Sequence, residues 1–191
     1  DLERLCEDGL LTAGECEACQ WGEKEDETDY GPIYQNRFQV LKKAHGRFRQ
    51  KERESYGEFC RKNREWLDDY ALFMTLKDLH QGRPWYEWEE ELKCRNINAL
   101  DQIRAEHGEE IDFWKMTQFL FADQWEKIKN YAGQNGIKII GDIPIYVSMD
   151  SADVWGNQHL FQLDTKGFPT AVAGVPPDYF SATGQLWGNP L

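Results

Sequence analysis

Three small groups of residues in this chain have the types and spacing to do chemistry. Asp142 ends the apolar run Ile137-Lys138-Ile139-Ile140-Gly141-Asp142 and is followed by Ile143-Pro144. Tyr179-Phe180 stands directly behind Pro176-Pro177-Asp178. Cys16 and Cys19 form a C-x-x-C, with Cys6 upstream. A carboxylate at the carboxyl end of a parallel strand lies where barrels and open α/β sheets bind ligands, although a strand-end Asp can equally cap the next loop. Each proline locks φ and restricts the residue before it, so Pro176-Pro177 makes a stiff stalk for two adjacent rings. Nucleotide bases would call for positive charge near such rings. The region holds Asp142, Asp150, Asp153, Asp164 and Asp178 against only Lys138 and Lys166. A sugar ring suits it better, because it is neutral, its C–H faces stack on aromatic rings and its hydroxyls bond to Asp and Asn. The rings can equally cover core beneath a long loop. A zinc site needs four ligands, and only Cys6 lies near the C-x-x-C, with no His beside it. A redox motif needs a strand before and a helix after, whereas these flanks read as acidic and helical. The five cysteines read as reduced thiols, structural or incidental, and no metal site is expected.

The elements that position these groups fall into two regions. Residues 1–136 are rich in charge and hold only Pro32 and Pro84, whereas Pro144, Pro169, Pro176, Pro177 and Pro190 crowd into 137–191. An organisational boundary is placed a little upstream of this change, near residue 110. The first region reads as helices. Tyr34–His45 is amphipathic and is stopped by Gly46. Glu54–His80 carries Phe59, Leu67, Tyr70 and Met74 on one stripe, with Arg61, Lys62, Arg64 and Asp68 mainly opposite. Gly82 and Pro84 end it. Asn98 begins a helix to about His107. Ile111–Asn135 is the strongest, with Trp114, Gln118, Phe121, Trp125 and Ile128 at helical spacing and Gly136 at its C′ position. Trp66, Trp114 and Trp125 read as core anchors. A helix, a glycine turn and a β-branched apolar run are the parts of an α/β unit with a buried parallel strand, here ending at Asp142. Residues 148–191 show little periodicity, and a loop of that length usually has a function.

Composition narrows the classes. The 191 residues carry 22 Lys+Arg against 34 Asp+Glu, a formal net charge of -12, which argues against a nucleic-acid partner. Mean hydropathy is -0.75, and no stretch has the run of apolar residues a membrane span needs. Asp1 opens the chain in place of Met with no signal region, and Gly188-Asn189-Pro190-Leu191 ends it in a loop. Both ends read as cut from a longer, cytoplasmic protein.

Several stretches resemble a known family. Lys138 to Tyr146 (KIIGDIPIY), Asp150 to Trp155 (DSADVW) and Ala173 to Pro190 (AGVPPDYFSATGQLWGNP) closely resemble amylomaltases, the bacterial 4-α-glucanotransferases or disproportionating enzymes of glycoside hydrolase family 77. Thr28 to Gln35 (TDYGPIYQ), Glu65 to Leu76 (EWLDDYALFMTL) and Gln118 to Trp125 (QFLFADQW) look like the same family in the same order. The resemblance runs nearly end to end.

That resemblance implies an α/β fold, part of a (β/α)₈ TIM barrel glycosidase with a mainly helical insertion. Residues 1–110 would be the insertion subdomain. Residues 111–147 would be a barrel helix and the parallel strand ending at Asp142, and 148–191 a loop excursion over the active site. It further implies transfer of α-1,4-glucan segments between maltodextrins by a retaining double displacement, without cofactor. The family's nucleophile and acid/base are expected beyond Leu191, so no residue here is assigned a catalytic role and the fragment alone is expected to be inactive. The substrate-binding residues that carry over are Asp142, Tyr179 and Phe180, with Ser181 and Trp187 in the same loop. Two rival readings are a non-catalytic maltodextrin-binding module and a helical interaction module. An unpartnered barrel strand exposes apolar faces and backbone edges, so self-association of the chain is expected.

Overall fold

The computed structural model describes residues 1–23, 26–51 and 53–191. They pack as two compact units, Asp1–Lys62 with Met116–Gly136 and Asn63–Lys115 with Ile137–Leu191. This division differs from the three consecutive segments expected from the sequence.

The first unit is helical. Helix α1 (Leu2–Glu7) is capped by the Asp1 carboxylate, which accepts from the Glu3 and Arg4 backbone N–H groups. Helix α2 (Ala13–Glu17) opens on a capping box between Thr12 and Glu15, which satisfies two otherwise orphaned donors. Helix α3 spans Tyr30–Phe48 and helix α4 Glu54–Lys62. Helix α3 runs past Gly46, where a stop was expected. Phe48 beyond it is buried, with its ring 5.1 Å from Tyr56 and 5.9 Å from Phe119, and this packing outweighs the roughly 1 kcal/mol helix penalty of one glycine. Arg47 pins α2 to α3. Its guanidinium donates to both Glu15 carboxylate oxygens at 2.8 and 2.9 Å and to the Leu10 carbonyl at 2.9 Å.

The second unit holds helices α5 (Arg64–Leu79), α6 (Glu90–Lys93), α7 (Ile97–Glu106) and α9 (Ala152–Gly156), with a 3-10 turn at Trp85–Glu87. Helix α8 (Gly108–Gln134) supplies its first turns here and the rest to the first unit. The single helix expected over Glu54–His80 is two helices, broken at Asn63. Asn96, not Asn98, caps α7 by accepting from the Asn98 and Ala99 N–H groups. The core gathers Leu72, Phe73, Leu76, Trp85, Trp88, Leu92, Leu100, Val154 and Trp155. Trp155 is fully buried, with its ring 5.9 Å from Phe73 and 5.8 Å from Trp88. The Arg95 guanidinium lies 4.3 Å over it, and its indole N–H donates to the Leu92 carbonyl at 3.0 Å. Beside it, Lys77 donates to Asp150 Oδ2 at 2.7 Å, while the Trp85 backbone N–H donates to Asp150 Oδ1 at 3.2 Å and its indole N–H to the Met149 carbonyl at 2.7 Å. The segment entering residues 150–191 is thus fixed to α5 and the turn after it.

Two stretches differ locally from the sequence reading. Residues 137–142 form no strand. Among the described residues the only sheet pairs β1 (Val172–Val175) with β2 (Gln185–Pro190), so the run finds no ladder partner. Ile140 is 94% exposed, and Ile143 and Ile145 are likewise bare. Residues 148–191 are also not a patternless loop. They contain α9, a 3-10 turn at Gln158–Leu160, a bridge between Leu163 and Pro169, and the hairpin. The aromatic stripe of α8 is core only at its start. Trp114 is buried and donates to Asp78 Oδ2 at 3.2 Å, whereas Phe121, Trp125 and Ile128 are exposed, as is Trp66 on α5. The buried stripe is Phe113, Met116 and Leu120.

Replacing Trp155 with Ala removes a full indole from the packed core and should cost about 3–5 kcal/mol. Urea denaturation of the Trp155→Ala chain checks this, and an unchanged midpoint would contradict it. Arg47 holds the Glu15 carboxyl down, from 4.5 to about 2. Glu15 therefore adds stability that is complete above pH 4.5 and lost as pH falls toward 2. The stability of Glu15→Gln should change less with pH across that window than that of the unaltered chain, as denaturation at a series of pH values reads directly.

Candidate functional site

The hairpin forms an arm. Strands β1 and β2 are antiparallel, with Val172 opposite Pro190, Gly174 opposite Leu186 and Val175 opposite Gln185, and an irregularity between Val172 and Gly174. Two glycines let the strands approach. A Cβ at Gly174 would sit 2.7 Å from the Gln185 carbonyl oxygen. Gly184 has φ +75°, and a Cβ there would sit 2.6 Å from the Val175 carbonyl oxygen. Neither position has room for a side chain.

Backbone hydrogen bonds shape the tip. Asp178 Oδ1 accepts from the Phe180 and Ser181 N–H groups at 2.9 and 2.8 Å, and the Asp178 N–H donates to the Ser181 carbonyl at 2.9 Å. The Ser181 hydroxyl donates to the Gly184 carbonyl at 2.7 Å. Asp and Ser make such local bonds readily, which is why they favour turns. With the backbone polar groups occupied inward, Tyr179 is 97% exposed and Phe180 87% exposed. The rings meet edge to face, with centroids 5.5 Å apart and planes at 87°. Both rings face outward, so neither covers core. Within this chain the pair does not seal the underside of the loop.

The base of the arm meets the segment after Asp142. The Trp187 ring lies 5.7 Å from Tyr146, and its N–H donates to Gln185 Oε1 at 2.9 Å. Asn189 Nδ2 donates to the Val147 carbonyl at 2.8 Å. Asp142 is exposed, four residues before Tyr146, a span of about 14 Å at most in extended chain. The structure therefore brings Tyr179 to Phe180 at the tip, places Ser181 inside the turn, and sets Trp187 against Tyr146 at the base. Asp142 lies on the same segment as Tyr146 and Val147, which touch the base of the arm. Tyr146, whose ring meets Trp187, was not singled out in the sequence. Its signal was its place at the end of KIIGDIPIY, one turn of chain beyond the carboxylate.

The ionisable groups of the arm are the Asp178 carboxylate and Tyr179, with no Lys or Arg between Lys166 and Leu191. Among the described residues no group of three or more His, Cys, Asp or Glu is arranged to hold a metal ion, and no helix is long and apolar enough to cross a membrane. The arrangement can stack an uncharged, partly apolar ring and hydrogen-bond its polar edge.

Known proteins resemble this chain throughout its length. A 4-alpha-glucanotransferase of Thermus thermophilus is 47% identical over 195 residues, and one of Clostridium butyricum is 41% identical over 192. Both cover 100% of this chain, which spans only 38% and 39% of those relatives. The solved structure of an amylomaltase from Streptococcus agalactiae in complex with acarbose is 37% identical and matches with a TM-score of 0.93, covering 100% of this chain and 39% of its own. The fold thus has a counterpart among solved structures, and the model of glycoside hydrolase family 77, described as 4-alpha-glucanotransferase, matches residues 1–191. By this match the chain belongs to glycoside hydrolase family 77.

Proposed function

We propose that this chain is the glucan-gripping portion of a 4-α-glucanotransferase that moves α-1,4-glucan segments between maltodextrins. The observation that carries the proposal is the bare Tyr179-Phe180 pair, held outward by Asp178 and Gly184 on a chain of this family. The acarbose bound to the structural relative is consistent with a sugar-like ligand.

In this reading residues 1–110 are a helical insertion and 111–147 a barrel helix followed by a barrel strand ending at Asp142. Residues 148–191 are an excursion over the active site. A (β/α)₈ barrel takes about 250 residues, so the barrel would be completed by chain outside these residues. The bare Ile140, Ile143 and Ile145 fit a strand whose neighbours lie there, and they would drive self-association of the chain alone. The complete protein would be a cytoplasmic enzyme that needs no cofactor and has no nucleic-acid partner.

The chemistry is a double displacement. One carboxylate attacks the anomeric carbon while a carboxylic acid protonates the leaving oxygen, the two groups lying ~5–5.5 Å apart. A second sugar hydroxyl, in place of water, then releases the covalent glycosyl-enzyme. Both groups are expected beyond Leu191. Asp142 would hydrogen-bond the sugar undergoing cleavage, and Tyr179 and Phe180 would stack on the glucan near the scissile bond. Ser181 fixes the turn and keeps lone pairs for a sugar hydroxyl, while Trp187 lines the arm with Tyr146. Rings that cover the glycosyl-enzyme would also exclude water, which favours transfer over hydrolysis.

In the complete enzyme, Tyr179→Ala or Phe180→Ala should raise the ratio of hydrolysis to transfer or weaken glucan binding by about tenfold, ~1.4 kcal/mol. Chromatography of the oligosaccharides formed from maltotriose, with glucan affinity measured alongside, reads both. Unchanged values in both variants would remove the platform.

A further inference from the structure

A second feature lies in the first unit and has no part in the glucan reading. Cys6 on α1 and Cys16 on α2 face each other with sulfurs 3.9 Å apart, and both are partly exposed. We propose that Cys6 and Cys16 are a dithiol that closes to a disulfide by exchange with a small-molecule disulfide, and opens again in a reducing medium.

The geometry favours this pair over the C-x-x-C partners. Cys19 turns its thiol back onto its own chain and donates to the Glu15 carbonyl at 3.7 Å. Cys16 points across the helix pair to Cys6. Both backbones are already fixed. The Leu10 and Leu11 N–H groups donate to the Leu5 carbonyl at 2.8 and 3.1 Å, and Leu5, Leu10 and Leu11 are buried. Trp21 Nε1 donates to the Cys16 carbonyl at 2.8 Å. Glu15, next to Cys16, is clamped by Arg47. A bonded pair stands about 2.05 Å apart, so the sulfurs must approach by about 2 Å. The bond would close a short chain loop around a turn that is folded already.

The exchange balances. The Cys6 thiol gives its proton to solvent, and its thiolate attacks one sulfur of the external disulfide, expelling one thiolate. The Cys16 thiol then loses its proton, and its thiolate attacks Cys6 Sγ in the mixed disulfide, expelling the second. Two electrons pass from the protein thiols to the external disulfide, which leaves as two thiols carrying the two protons. Burial, and next the adjacent Cys6 thiol, push the Cys16 thiol up. In a reducing compartment such a bond is transient and marks an oxidant-responsive site.

The test is incubation of the native protein with oxidised glutathione, alkylation of the remaining thiols and mass mapping of non-reduced peptides. The proposal expects two of the five thiols to be lost, one Cys6–Cys16 peptide that dithiothreitol reverses, and the same product in Cys19→Ser. Cys16→Ser should stop at a glutathione adduct on Cys6. The same mapping in concentrated urea gives the pairing of the unfolded chain, where the closer-spaced Cys16 and Cys19 should pair at least as readily. A native product dominated by Cys16–Cys19, adducts with no cross-link, or five thiols left intact would each overturn the proposal. The unaltered chain suffices for the deciding measurement, so a variant that fails to fold does not cloud it.

Discussion

The burial of Trp155 is the constraint on which the rest of the second unit depends. An indole taken wholly out of water brings a large apolar area into the core and also an N–H that needs a partner. Both needs are met by residues from separate elements. Phe73 on α5 and Trp88 after the Trp85–Glu87 turn pack its faces, Arg95 lies over the ring, and the Leu92 carbonyl takes the N–H. Five residues earlier in the chain Asp150 ties to Lys77 and to the Trp85 backbone. Two anchors so close in sequence leave the following chain little freedom where it starts. The hairpin is held again at its far end, by Asn189 on the Val147 carbonyl.

An arm held at both ends can present rings that gain nothing from the fold itself. Within this chain Tyr179 and Phe180 bury almost no area. The structure nevertheless commits Asp178, Ser181 and two tight glycines to keeping them outward. A rigid aromatic pair loses little conformational freedom on binding, and a site that is ordered beforehand spends less of its interaction energy on ordering. The neighbouring charges are carboxylates, which suit a neutral, hydroxyl-rich ligand and repel a polyanion.

Much of this was legible in the sequence, and what was not has identifiable causes. Helical spacing located α3, α7 and α8 within a few residues. Their ends were set by tertiary packing, as where Phe48 draws α3 past Gly46. The break at Asn63 left no sequence mark, because Phe59 and Leu67 continue one stripe across it. The strand expected over 137–142 was read from its β-branched residues, yet a strand exists only against a partner, and none is available among the described residues. The hairpin was missed for the opposite reason. Its strands are short, Gly174 and Gly184 interrupt any alternation, and the prolines read as loop. Tyr179 and Phe180 were visible by type and position, and only the structure tells that both face outward. Tyr146 was overlooked because its role depends on Trp187, 41 residues away in sequence.

The central claim is that the arm and Asp142 hold one glucan between them. The most direct measurement is a crystal structure of the complete enzyme with bound maltoheptaose. The account predicts sugar rings in van der Waals contact, within about 4–4.5 Å, with the Tyr179 or Phe180 ring, and a sugar hydroxyl donating to the Asp142 carboxylate. A well-ordered glucan in the active site that leaves both rings and that carboxylate untouched would contradict it.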